Sequence, residues 1–310
     1  MAKSPFTIDP HLTGIAIAYK NEDYIADEIA PYETVNKELF EWDEYEVGQM
    51  FTPPDDKVGR LSKPNEVTFS STRKEDSTED HGLDSPVPQK DVDNADANQD
   101  PLGFATEGVM ELVKLNREIR LANSVFNSAT YPAGLKETLS GSDQWSDVSS
   151  KPIKKIKKAL DKPLMRPNYI LFGQEAWTDF SIHPEIVEAV VGTGAQAGVA
   201  LEDAVAKLFG VKKVLVGMSF QNTAKQGQTV AFNRLWGKHC SLFYKNPLAR
   251  LKGSMRPTFM MTARFGTPIG GTIPDPDMGL KGGVRVRAGE FVKEVRLSQH
   301  CGYFLEDVVA

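Results

Sequence analysis

The chain has 310 residues, a net charge of -6, 40% hydrophobic and 25% charged residues, enough for about two domains of ordinary size. The acidic balance argues against a protein held on nucleic acid mainly by phosphate neutralisation, and no apolar run approaches the roughly 20 residues of a membrane span. Cys240 and Cys301 make no disulfide framework, and residues 1–6 lack the apolar core of a signal peptide, so synthesis in a reducing cytosol is expected.

Residues 12–19 fit a short helix or a strand. Residues 24–31 read as one or two helical turns stopped by Pro31. From Glu33 to Val47 aromatics mix with acids, and Phe40 and Trp42 share a face if extended, which predicts a strand. Residues 50–100 then cannot bury themselves, and a structureless connection above roughly 12–15 residues is uncommon in a compact domain. Val67 and Phe69 predict a second strand that pairs with the first as a long hairpin. Beyond Glu75 the segment is acidic and contains Pro86 and Pro88, so it reads as extended and solvated.

Asp100-Pro101 predicts a helix start, Asp as N-cap and Pro at the first helical position. The helix runs to about Phe126, with Val109, Leu112, Val113, Leu115, Ile119, Ala122 and Phe126 at helical spacing. Glu111, Lys114, Arg117 and Glu118 lie largely outside that stripe. Residues 131–149 read as loop. Lys151-Pro152 opens a helix with Ile153, Ile156 and Leu160 on one side and Lys154, Lys155, Lys157 and Lys158 as a basic patch. Asn168–Gly173 predicts a buried strand, Gln174–Val191 a helix broken at His183-Pro184, and Gly192–Gly198 a flexible loop. Leu201–Phe209 predicts a helix with Gly210 as its C-cap. Strands follow at 211–216, 229–233 and 240–244. From Phe259 the chain reads as β-rich, with a turn at Gly279–Gly283 and strands near Val284–Arg287 and Phe291–Leu297. The alternation between 151 and 245 makes an α/β unit, and the flanks make a second, α+β unit.

No catalytic constellation emerges. His239-Cys240 and His300-Cys301 are adjacent pairs, and neighbours on a strand point to opposite faces; no Cys-x-x-Cys spacing is present. Gly192-x-Gly194 follows a helix, where a dinucleotide fingerprint must follow a strand. Gly217–Gln221 lacks the second glycine of a nucleophile elbow. Asp91–Asp96 lacks the glycine and distal glutamate of a calcium loop. No metal or cofactor and no enzymatic activity are expected, with an α/β hydrolase-like enzyme the disfavoured alternative.

The order of elements, together with residues 12–19, 24–31, His81–Pro88, Asp93–Ala95, Leu115–Ala122, Pro167–Gly173 and His183–Ile186, resembles the major capsid proteins of tailed bacteriophages. The resemblance covers essentially the whole chain. It implies an α+β fold of the Hong Kong 97 type: an N-terminal arm (1–40), an extended β-hairpin loop (41–75), an acidic strap and peripheral domain (76–150) with a spine helix (101–127), an α/β axial domain (151–255), and return strands of the peripheral domain (256–310). It implies self-assembly through pentamers and hexamers into an icosahedral shell around double-stranded DNA. A shell of the same fold that encloses cargo enzymes, encapsulin-like, is the runner-up.

The arm would then bury surface against a neighbouring copy. Phe40, Trp42, Tyr45 and Phe51 are its aromatic anchors, and Arg60, Lys63, Arg73 and Lys74 its cations, opposed by acids from Glu75 onward. The lysine helix at 154–158 would face packaged DNA, without sequence specificity, or acids on a neighbour. Further expected partners are a separate scaffolding protein, a portal and a decoration protein; no membrane is expected. The expected location is the virion capsid, after synthesis in the host cytoplasm.

Overall fold

The computed structural model describes residues 6–45, 47–192, 198–225, 227–252 and 257–310. Residues 193–197 of the predicted glycine-rich loop lie outside them. In chain order the elements are β1 (Thr7–Ile8), α1 (Pro10–Ala18), α2 (Ala26–Ile29), β2 (Tyr32–Val35), β3 (Leu39–Tyr45), β4 (Ser71–Ser77), β5 (Glu79–Pro88), α3 (Gln89–Asp93) and α4 (Pro101–Val125). There follow β6 (Lys136–Thr138), α5 (Pro152–Asp161), β7 (Tyr169–Gly173), α6 (Gln174–Ile182), α7 (Pro184–Val191), α8 (Glu202–Phe209), β8 (Lys213–Gly217), β9 (Phe220–Asn222), β10 (Phe232–Arg234) and β11 (Cys240–Phe243). The last are β12 (Met260–Asp275), β13 (Gly283–Arg296) and β14 (Gly302–Glu306).

Capping chemistry explains where the helices begin. Asp9 accepts from the backbone N–H groups of His11 and Leu12, so residues 10–18 are helical rather than extended. Asp100 accepts from Gly103 N–H at 3.0 Å ahead of Pro101. His183 stops α6, and its ring accepts from Glu185 N–H to start α7, which is the break anticipated at His183-Pro184. Gly210 closes α8 in the left-handed region, at φ 65°.

Two sheets carry the body. The first has the order β1-β12-β13-β5, with β2 parallel to β12 on its free side. The second runs β6-β14-β11-β7-β8. β12 and β13 form one long antiparallel hairpin from Met260↔Arg296 to Asp275↔Gly283. The two strands anticipated near 284–287 and 291–297 are therefore one, because Ala288, Gly289 and Glu290 keep pairing with β5 on their other side. The chain end also departs from expectation. β14 leaves the first sheet and joins the α/β sheet between β6 and β11, so residues 302–306 and 136–138 both belong there.

The second sheet is apolar on both faces, as its near-continuous Tyr-Ile-Leu-Phe run requires. Ile170, Phe172, Leu242 and Leu305 pack under α5, α6 and α8 through Ile156, Phe180, Val205 and Phe209. Leu171, Leu215, Phe243 and Phe304 pack on the opposite side against Leu121, Ala122 and Val125 of α4, Ile29 of α2 and Trp236. One end of α4 thus lies on the second sheet. Its other half lies on the first through Val109, Met110 and Val113 against Ala288.

Gly217 marks how tightly this junction is closed: a Cβ there would sit 2.1 Å from the Trp236 ring. Gly217→Ala should displace that indole and destabilise the unassembled subunit by about 1–3 kcal/mol, the ordinary scale of core overpacking, measured by chemical denaturation. An unchanged midpoint would refute the packing argument.

Candidate assembly surfaces

The spine helix α4 is about 37 Å long at 1.5 Å per residue. Its polar row, expected off the apolar stripe, is the part that organises the subunit. Glu111 accepts from the hydroxyls of Tyr19 and Tyr24 and from Asn21 Nδ2. Lys114 Nζ lies 2.7 Å from Glu290 and donates to the Tyr32 hydroxyl at 2.9 Å. Arg117, 1% exposed, pairs with Asp27, donates to Ala30 O and Thr262 Oγ1, and lies 4.1 Å over the Tyr32 ring. Glu118, fully buried, accepts from Ile25 N–H, Ala26 N–H and the Trp236 indole at 3.1, 2.9 and 2.8 Å. Burial pushes its carboxyl up from the ordinary value. Residues 19–32 are thereby pinned along the helix. Conversely, Leu112 of the predicted stripe is half exposed and Phe104 is exposed.

The hairpin predicted for the arm exists with a shifted return strand. β3 pairs with β4 from Leu39↔Ser77 to Tyr45↔Ser71, so Val67 and Phe69 precede the strand instead of forming it. Residues 51–75 are all exposed, including Phe51, Val58, Leu61, Val67 and Phe69.

The anchors named from the sequence sort into two groups. Phe40 and Trp42 are corrected: they are buried within their own subunit against Ala249, Leu251, Met261 and Val295, because alternate residues of β3 face the first sheet. Phe51 is exposed, and Tyr45 stands opposite Ser71 at the end of the strand. Three of the four cations have partners inside the loop: Lys63 with Glu66, Arg73 with Glu41 and Lys74 with Glu44. Arg60 forms no ion pair among the described residues. Lys252 also reaches Glu41, at 2.8 Å, tying the hairpin root to the body.

The acidic strap is not solvated coil. It is β5, paired residue for residue with β13 from Glu79↔Val292 to Pro88↔Gly283. Basic residues of β13 draw it in: Arg287 grips Asp84 through two nitrogens at 2.6 and 2.7 Å, and Lys293 pairs with Glu79. These bonds hold the carboxyls of Asp84 and Glu79 below their ordinary values. β5 is an edge strand, where Pro86 and Pro88 are tolerated.

The His-Cys pairs form no site. Cys240 and Cys301 are buried, and burial pushes both thiols up, Cys301 to about 11, away from the thiolate a nucleophile needs. His239 accepts from Asp307 N–H and packs between Phe126 and Phe304. Among the described residues no cluster of three metal-binding side chains occurs, and no helix is long and apolar enough to cross a membrane.

No protein-family model matches the chain. Over all 310 residues it is 46% identical to the major capsid protein of Pseudomonas phage JBD67, covering 100% of both chains. It belongs to the phage major capsid proteins. The major capsid protein of Burkholderia phage BcepMu is 25% identical, with 97% of this chain and 96% of that protein covered. Among solved structures, a phage-related protein from Bordetella bronchiseptica superposes with a TM-score of 0.75 at 21% identity over 98% of each chain. The capsid of cyanophage P-SCSP1u gives 0.57 at 11% identity, over 93% of this chain and 89% of that one. The fold is the Hong Kong 97 type shared by phage capsid proteins.

In this capsid protein the buried Arg117 fork is one lock of the N-terminal segment. Arg117→Lys keeps the charge but loses the planar fork. It should cost about 1.5–3 kcal/mol, the range for hydrogen bonds to charged groups, and expose residues 19–35 to protease before global unfolding. Proteolysis and denaturation of the unassembled subunit would show it. The strap supplies a pH test. The carboxyls of Asp84 and Glu79 are depressed, so their contribution is present above the ordinary values of 3.8 and 4.5 and is lost as pH falls through the lower folded ones. Amide exchange of β5 should accelerate in that acid window while β7 stays protected; equal protection of both strands would contradict it.

Proposed function

We propose that this capsid protein assembles through pentamers and hexamers into an icosahedral shell that encloses the double-stranded DNA of a tailed phage. The full-length 46% identity to a phage major capsid protein carries the reading. The physical support is the hairpin beyond β3, which leaves residues 51–75 exposed in the isolated subunit. Such a segment can be ordered by surface supplied from another copy, and many modest contacts repeated around a closed shell sum to a large stability.

In this reading the first sheet with α4 is the peripheral part, the second sheet with α5–α8 the axial part, and residues 47–70 the reach of the extended loop. Phe51 and Arg60 remain its interface candidates, with the exposed Leu61, Val67 and Phe69 added. The work of the chain is assembly rather than catalysis. Packaged DNA, a separate scaffolding protein, a portal and a decoration protein are the further partners, and synthesis takes place in the host cytoplasm. An encapsulin from Synechococcus elongatus shares the fold with a TM-score of 0.54 at 10% identity, which supports a common architecture and no common cargo.

Electron microscopy of the purified chain tests the reading: closed shells or capsomers are expected, and a stable monomer with enzymatic turnover would refute it. The hairpin root contributes to the core, so the informative deletion is 47–70 closed by a short turn, leaving β3 and β4 intact. That variant should stay folded and soluble yet form no stable shells. Shells of normal abundance would remove the proposed role of the loop.

A further inference from the structure

β5 meets α4 through alternate residues. At one end Val87 shares an apolar cluster with Ala105 and Leu102. In the middle Leu83 lines an open groove of about 610 Å³ with Phe104 and Leu112. At the other end His81 Nδ1 lies 3.4 Å from Arg120 Nη1, the one hydrogen bond between β5 and α4 among the described residues. The polar end of this contact is therefore a single imidazole on a single guanidinium.

That pairing admits one protonation state of the ring. A guanidinium only donates, so Nδ1 is the accepting nitrogen and the proton of the neutral ring sits on Nε2. This Nε2 is buried without a hydrogen bond, 3.7 Å from a Glu79 oxygen. A second proton would go to Nδ1 and face the Arg120 donors, replacing a hydrogen bond by two like charges. The carboxylates around the ring do not offset this, because each is already held. Glu290 stands directly opposite His81 on β13 and pairs with Lys114 at 2.7 Å. Glu294, on the same strand, pairs with Arg120 at 2.8 Å and lies 3.8 Å from Arg117 Nε. Glu79 pairs with Lys293. Burial first, and Arg120 second, hold the imidazole below its ordinary value.

We propose that the His81–Arg120 contact is a proton-operated latch. The neutral imidazole seats the first half of β5 on the spine helix, and protonation in mild acid releases that half while Val87 keeps the other in place. Nothing is lost while the ring is neutral in both the seated and the released strand. As pH falls through 6.5, the ordinary value, the released strand takes the proton first. It then gains on the seated one by up to about tenfold per pH unit, until the lower folded value is passed. Asp84 and Glu79 stay ionised through this window, because their carboxyls are held below 3.8 and 4.5. The latch thus opens while the ion pairs between β5 and β13 are intact.

Amide exchange of the full-length chain between about pH 7.5 and 5.5, corrected for the intrinsic rate, tests it. Residues 79–83 should lose protection severalfold towards acid, while Ser85, Val87 and β7 keep theirs. H81N, whose amide oxygen can accept from Arg120 without titrating, should abolish that step. Nuclear magnetic resonance supplies a second readout that needs no folded variant at position 81. Among the five histidines of the chain, the His81 ring should titrate below 6.5 in the wild type, and R120Q should move it upward. An acid step that persists in H81N would overturn the proposal, as would a His81 ring that titrates at or above 6.5. Equal loss of protection in β5 and β7 would mark general acid unfolding and overturn it as well.

Discussion

A carboxylate and a guanidinium buried side by side on one turn of α4 fix the arrangement of everything around them. Taking Arg117 and Glu118 out of water costs several kcal/mol per ion unless their hydrogen bonds are replaced. Glu118 regains them from two backbone N–H groups of the N-terminal segment and from Trp236; the terminal nitrogens of Arg117 do so with Asp27, Ala30 O and Thr262, while its Nε has no hydrogen bond and stands 3.8 Å from Glu294. Trp236 packs on the second sheet and Thr262 lies in the first. The same turn therefore ties both sheets and the N-terminal segment to one helix. A slip in any of the three would leave Glu118 short of donors or Arg117 short of acceptors while still buried, so alternatives are penalised more than the native arrangement is rewarded.

That buried junction sets off the exposed loop of the chain. The hairpin root is inside it: Phe40 and Trp42 pack on the first sheet, and Lys252 holds Glu41. Residues 51–75 are all exposed, and a segment with few buried apolar contacts lies at the low end of local stability. The boundary between core and reach is thus a boundary within one strand pair.

Much of this architecture was legible in the residues. α4 was readable because Asp100-Pro101 and a sustained helical period agree, and α6–α7 because His183-Pro184 both stops and restarts a helix. What escaped reading depended on partners far away in sequence. Arg117 and Glu118 look like a wet helix face, since nothing local reveals that residues 25–32 will lie over them. β5 reads as a solvated acidic strap, since the arginine and lysine that pair it into a sheet stand some 200 positions later: Asp84 with Arg287 and Glu79 with Lys293. The register of the loop hairpin was missed because β4, Ser-Thr-Arg-Lys-Glu-Asp-Ser, has no apolar alternation. Its pairing with β3 comes from the backbone and from cross-strand charge.

The loop and the lysine helix use charge in opposite ways. Within the loop, Lys63, Arg73 and Lys74 are already matched by Glu66, Glu41 and Glu44. A second copy gains little by re-pairing them, because exposed ion pairs are worth about 0–1 kcal/mol and one would be exchanged for another. In the proposed assembly, attraction at the loop would then come from its unmatched apolar side chains, Phe51, Leu61, Val67 and Phe69, and from backbone pairing, terms largely insensitive to electrostatic screening. On α5, Lys155 is held by Glu137, whereas Lys154, Lys157 and Lys158 form no ion pair among the described residues, so a contact made by those three would be electrostatic and salt-dependent. If both regions meet neighbouring copies, their contacts respond differently to ionic conditions, and one can weaken while the other still holds.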